Sequence, residues 1–345
     1  MSWIIRLLEA VLLGGTLVAL GAIAAETQPR SSVNPAAMTA GARAADAPPT
    51  VADAVVETTT VDVLSRLQQQ AASLEFPAYL ADRLAGILLW CEPRSTIGPG
   101  ISDWAIASRV RYAYGFLAAR AEQSASDQPE RALELRRQAI WRLRIARDEG
   151  LKRIPAAHPA LALAGSAVAD SGVRAAGSAV ADSGVRAAGS AAPRTQPKYA
   201  QTVYWTAAAW GALISLDRED LDLLADWPRA QAMANWLLRE DPDRGEGAVR
   251  ILAAGFELAR PGGDTRRARE WLEEARGRFG DRQASVHLAL ADWVDLPEAR
   301  EQGSGEALRR RLEEVLRVAD RVPSMENTVA AARAAWLLSR IEDLF

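Results

Sequence analysis

Cysteine is almost absent: Cys91 stands alone, so the chain can form no internal disulfide and offers no thiol pair for a structural zinc site. Histidine is nearly as rare. Only His158 and His287 occur, and His158 falls in an irregular stretch, so histidine catalysis would rest on His287 alone, on an expected helix where packing is the commoner role. Lysine is confined to Lys152 and Lys198, and the 41 basic and 44 acidic residues give a net formal charge of −3. A nucleic-acid partner needs an uncompensated basic face, which this balance excludes. No serine sits in a Gly-x-Ser-x-Gly elbow. The carboxylates of Asp241, Asp243 and Glu246 alternate but lack the later bidentate glutamate of a calcium loop. Gly245-Glu246-Gly247 follows no strand and lacks the third glycine of a dinucleotide site. The sequence therefore predicts no enzyme, no cofactor and no metal.

Tyrosine and phenylalanine number five each, and against this scarcity of strand formers alanine, leucine, arginine and glutamate dominate, which favours helices. Near the N-terminus, the weakly basic Met1–Arg6 precedes an apolar run, Leu7–Ala25, interrupted by Glu9. Ala22-Ile23-Ala24 supplies the small residues that a signal peptidase reads, and Glu26-Thr27-Gln28 turns polar, so residues 1–25 read as an export signal. The run also approaches the length that spans a bilayer, which leaves an uncleaved anchor as the alternative and as the only expected contact with the membrane. Residues 26–60 are Ala, Pro, Ser and Thr rich without helical period, the composition of a flexible tether.

From Val61 apolar residues recur at helical spacing. Residues 61–155 predict N-terminal helices: two within Val61–Leu89 broken at Pro77, one over Ser102–Gln123 and one over Pro129–Lys152. Residues 156–200 form a low-complexity loop in which the twelve residues Ala164–Ala175 return at Ala176–Ala187, and a third copy starts at Ala188. The Gly-Ser pairs disfavour helix, and a solvated loop is expected. Residues 201–345 are helical again. Tyr204–Leu216 is apolar or small all round, so it is expected to be buried on several sides. Expected second helices of a repeat carry Ala230, Ala234, Leu237; Ala268, Leu272, Ala275; and Leu312, Leu316, Ala319, at steps of four and three. Their partners are expected over Tyr204–Leu216, Glu246–Ala259 and Gln283–Val294, with Asp264 capping a helix after Pro261-Gly262-Gly263. The pattern predicts an all-α, tetratricopeptide-like helical-hairpin superhelix, because a lone hairpin cannot bury its own apolar face.

Eleven tryptophans are present, and Trp205, Trp210, Trp227, Trp236, Trp271, Trp293 and Trp336 lie in the repeat region, where packing at helix contacts is their usual role. Trp205 and Trp210 are five apart on the most apolar helix, so they point to different faces and cannot fill one core layer. With Tyr204 they are the candidate residues for binding a ligand or partner.

Tyr204-Trp205-Thr206-Ala207-Ala208-Ala209-Trp210-Gly211, Ala225-Asp226-Trp227-Pro228, Glu257-Leu258-Ala259-Arg260-Pro261-Gly262-Gly263 and the ending Trp336–Phe345, in this order, resemble the T-component of TRAP-type transport systems. The resemblance reaches back through Arg147–Leu151 to Tyr112–Leu117. It implies an extracytoplasmic, tetratricopeptide-like protein that is prone to form a homotrimer and binds the solute-binding P-component, and it allows a small hydrophobic ligand in a groove or pore lined by Trp205 and Trp210 with Tyr204. Such proteins are often lipoproteins, whereas here no lipobox cysteine follows the apolar run. Arg250 stands where relatives are expected to carry histidine. The repeat spacing taken alone fits a general periplasmic scaffold for protein–protein interaction equally well. Export predicts a mature protein beginning near Ala25, to be checked by mass spectrometry; an intact Met1 in a membrane fraction establishes the anchor instead.

Overall fold

The computed structural model describes residues 75–91, 99–161 and 197–344, all within the unit Val51–Phe345. Among these residues every regular element is a helix and no strand occurs, so the fold is all-α. The chain enters through α1 (Glu75–Cys91) and α2 (Pro99–Tyr112), which continues through a π-helical turn, Ala113–Ala118, into α3 (Ala119–Gln123). Helix α4 (Pro129–Arg153) precedes the tandem repeats. After them come α5 (Ala200–Leu216), the short α6 (Leu221–Ala225), α7 (Trp227–Glu240), α8 (Ala248–Ala259) and α9 (Thr265–Phe279). Helix α10 (Ala284–Leu290) runs through a second π turn, Ala291–Asp295, into α11 (Leu296–Gln302), and α12 (Glu306–Arg321) and α13 (Met325–Ser339) follow. The expected export segment, the tether, the helix before residue 75 and the tandem repeats lie outside the described residues.

Local chemistry explains the boundaries. Pro77, where a break between helices is expected, is the third residue of α1, and its missing N–H is one of the donors that a helix start leaves without an intrahelical acceptor. Asp264 caps α9 as expected, accepting from the Arg267 N–H at 3.0 Å. Ser324 caps α13 by accepting from Asn327 N at 3.1 Å. Gly247 begins α8 at φ +101°, a conformation that side chains with a Cβ resist.

Helices α5 and α7, α8 and α9, and α10 and α12 pack as successive pairs, and each pair meets the next through α7 with α8 and α9 with α10. The pairing buries the small side chains at the expected steps. Ala230, Ala234 and Leu237 are fully buried, as are Ala268, Leu272 and Ala275. In α12 the register differs: Leu308, Leu312 and Val315 repeat the spacing in the core, while Leu316 and Ala319 are only partly buried. The expected triplet had slipped by one helical turn. Four residues later is still the same side of a helix, so spacing alone could not fix the phase.

One core joins both sides of the tandem repeats. Leu143 and Ala146 of α4 cluster with Val203, Trp210 and Leu213 of α5, and with Leu237 and Val249 beyond. Helices α4 and α5 approach tightly at Gly150, where an added Cβ would lie 2.0 Å from Thr206 Oγ1, itself buried and donating to Thr202 O at 2.6 Å. Gly150→Ala therefore gains about 1 kcal/mol of helix propensity but forces an overlap costing about 1–3 kcal/mol. A net loss in urea unfolding is expected, and Thr206→Ala in the same chain should return most of it. Equal stability of the single variant and the parent would contradict this close contact.

Candidate functional site

The most apolar helix, α5, presents Tyr204 and Trp205 toward the end of α2 and the start of α13. Their rings meet edge to face, with centroids 4.9 Å apart and planes at 77°. The Arg111 guanidinium of α2 lies 4.7 Å from the Trp205 ring centre, a cation–π distance. Arg111 is in turn paired with Glu326 of α13 at 3.0 Å. Both rings are partly buried, and the buried indole N–H of Trp205 has no acceptor among the described residues. Burial pushes the Tyr204 hydroxyl up to about 12, with Arg111 opposing. Tyr204 is therefore a neutral donor at physiological pH.

Trp210 has a different setting. It is 1% exposed, packed in the core, and its ring centre is 5.5 Å from the guanidinium of Arg147 and 5.4 Å from that of Arg229. Of the three candidate residues the structure brings Tyr204 and Trp205 together at a partly open junction and turns Trp210 inward. Five helical positions correspond to about 500° of rotation, which separates the two tryptophans onto different faces.

The same seam continues along α13. Gly115, in the first π turn, would place a Cβ 3.5 Å from the Val329 side chain. One turn further, Arg333 pairs with Asp292 of the second π turn at 2.8 Å and with Glu122 of α3. Tyr114, also in the first π turn, is 52% exposed. Thus α13, from the far end of the chain, meets the α2–α3 helix through two ion pairs and a glycine contact, with a π turn on each side. Such turns are frequent at functional sites because they widen the helix and re-aim side chains. Arg111, Glu122, Asp292, Glu326 and Arg333 were not singled out in sequence; Glu122 and Arg333 are 211 positions apart, beyond the reach of any local pattern.

The other residues weighed for chemistry are committed to structure. His287 is buried and its Nε2 is 2.9 Å from Gly280 O, while desolvation lowers its pKa. His158 Nδ1 accepts from Ala160 N at 3.2 Å. Asp243 pairs with Arg250 at 2.8 Å and with Arg278 at 2.5 Å, and Asp241 with Arg244 at 2.8 Å. Arg250 also reaches Pro242 O at 2.5 Å and Glu274 at 2.6 Å, so it pins the turn before α8 onto α9.

Residues 106–345 match the family model of the TRAP transporter T-component. The chain belongs to that family. The match contains Tyr204, Trp205 and the whole α13 seam, and it assigns the protein to TRAP transport in an accessory capacity. Comparison with curated proteins gave no match. Association with other transporter components follows at the level of the family, as does a membrane-associated or periplasmic setting. Among the described residues no helix is long and apolar enough to cross a membrane.

The electrostatics of the seam give a test. Burial raises the Asp292 pKa, with Arg333 opposing; burial disfavours the Arg333 charge, but Asp292 and Glu122 outweigh it and hold the guanidinium above its ordinary pKa. Arg333→Met leaves Asp292 a desolvated carboxylate without its cation, at a cost of about 1–3 kcal/mol near neutral pH. A raised carboxylate pKa means that the folded state holds its proton more tightly, so Asp292 becomes neutral in the folded variant before the unfolded chain does as pH falls. The deficit should therefore shrink between about pH 7 and pH 4, read as the difference in urea midpoints. A deficit that stays constant over this range contradicts the assignment.

Proposed function

We propose that this protein is a non-enzymatic accessory subunit that docks the extracytoplasmic solute-binding P-component of its TRAP system, with a small hydrophobic ligand held at the Tyr204–Trp205 junction. The observation that carries the proposal is Trp205: a partly buried ring clamped by Arg111, with an indole N–H that has no acceptor among the described residues. An amphipathic, partly exposed ring beside a fixed cation suits a ligand or partner that is apolar with one polar group. Tyr204 supplies a second donor that stays protonated. Trp210 supports the helix from its core side and does not enter the contact.

In this proposal residues 1–25 direct export, the protein lies in the periplasm without a lipid anchor on cysteine, and it assembles as a homotrimer whose hairpins form a tetratricopeptide-like superhelix. No step of chemistry on the transported solute is assigned to it. Sedimentation of the mature protein with the P-component of its own system should give a complex at tens of micromolar. Trp205→Ala is expected to weaken that complex or ligand capture by about tenfold, the scale of a central aromatic contact. Its urea midpoint must be followed in parallel, because truncating a well-packed tryptophan costs about 3–5 kcal/mol. Deleting one tandem copy, Ala176–Ala187, changes loop-closure entropy by only about 0.3 kcal/mol and should leave binding unchanged. Lost binding in the deletion together with normal binding by Trp205→Ala would place the function in the wrong segment.

A further inference from the structure

A recess that includes neither Tyr204 nor Trp205 lies where α1, α2 and α4 meet. It encloses about 360 Å³ and is lined by Asp82, Arg83, Gly86 and Ile87 of α1, Arg109 of α2, and Trp141 and Arg142 of α4. The four α1 residues precede residue 106, where the family match begins. Asp82 is buried beneath two guanidiniums, with Arg142 Nε at 2.9 Å and Arg109 Nη1 at 3.7 Å. One carboxylate thus serves two cations. Asp82 Oδ1 and Arg109 Nε are buried without a hydrogen-bond partner among the described residues. Desolvation lowers the Arg109 pKa, with Asp82 opposing and Arg142 adding to the lowering. Arg83 adds a third guanidinium at the exposed rim.

The walls are apolar. Trp141 is 57% exposed and Ile87 59%, both unusually open for large apolar side chains. The Trp141 ring centre lies 5.5 Å from Arg142 and 6.0 Å from Arg109, so a flat apolar surface and the two guanidiniums line the same space. Gly86 keeps that space open: a Cβ there would come within 2.9 Å of Arg109 Nη2.

We propose that this recess binds a small organic carboxylate with an apolar body, its carboxylate between Arg109 and Arg83 and its body against Trp141 and Ile87. A planar guanidinium matches a carboxylate in two parallel hydrogen bonds. The apolar walls distinguish such an anion from a bare inorganic one.

The probes are benzoate, its neutral isostere benzamide, and inorganic phosphate, each titrated into the intact mature protein by calorimetry. Benzoate should bind saturably, with benzamide and phosphate each about tenfold weaker or more, the scale of one charge-assisted contact or one apolar wall. Arg83→Gln and Trp141→Ala, both at exposed positions that folding tolerates, should each weaken benzoate about tenfold. Trp205→Ala should leave benzoate affinity unchanged, which separates this site from the Tyr204–Trp205 junction. Benzamide binding as tightly as benzoate, phosphate binding as tightly as benzoate, absence of benzoate binding, or insensitivity to both recess variants would each overturn the proposal.

Discussion

Helix α5 is apolar or small around its whole circumference, so no face of it can be given to water without losing burial on the order of 25 cal/mol per Å². The surrounding helices are arranged to meet that demand. Helices α2, α4, α7 and α8 all pack on α5, and its residues Val203, Ala207, Ala209 and Leu213 are fully buried. Small side chains make this crowding sterically feasible. Gly150 lets α4 approach Thr206, and Gly211 receives the Phe256 ring at 3.1 Å from where a Cβ would stand. Helices α4 and α5 are held face to face by this packing across the 46 residues, 154–199, that separate them in sequence. Closure entropy rises slowly with length, which explains why perfect tandem copies are tolerated there.

Much of this was legible in the sequence because it is local. Leucines and alanines at steps of four and three located the second helices of the hairpins, and Asp264 marked a helix start. Pro77 marked a helix boundary to within two residues, because proline is tolerated in a first turn and not in a helix interior. The register of α12 slipped because two triplets on one amphipathic helix, Leu308–Leu312–Val315 and Leu312–Leu316–Ala319, satisfy the same pattern. The π turn at Ala113–Ala118 has no proline beside it, whereas Pro297 follows the one at Ala291–Asp295 by two residues and cannot donate back to Trp293, a local signal the sequence reading did not use.

The site divides in the same way. Tyr204 and Trp205 stood out because they interrupt an otherwise small and aliphatic helix with amphipathic rings. Their charged neighbours did not, since Arg111, Glu326, Arg333, Asp292 and Glu122 resemble every other charge on an amphipathic face until the fold brings them together. Trp210 illustrates the reverse problem. It carries the same chemistry as Trp205, but helical rotation sends it into the core, and composition cannot assign a phase.

The near absence of lysine then acquires a structural reason. Arg333 holds Asp292 and Glu122 from two different elements, Arg250 holds Pro242 O, Asp243 and Glu274, and Arg144 holds Asp217 and Asp220. Each requires several donors fixed in one plane, which a guanidinium supplies and an ammonium, a compact and strongly hydrated charge, does not. A lysine at residue 333 could neutralise one carboxylate but would leave the other desolvated without a partner, an arrangement costing more than the surface value of an ion pair. The same donor count turns the Asp82 cluster around. There two guanidiniums share one carboxylate, and the surplus lies in donors and in positive charge. Arginine fastens helices where carboxylates are in excess; where guanidiniums are in excess, as around Asp82, a donor such as Arg109 Nε is left buried without a partner among the described residues.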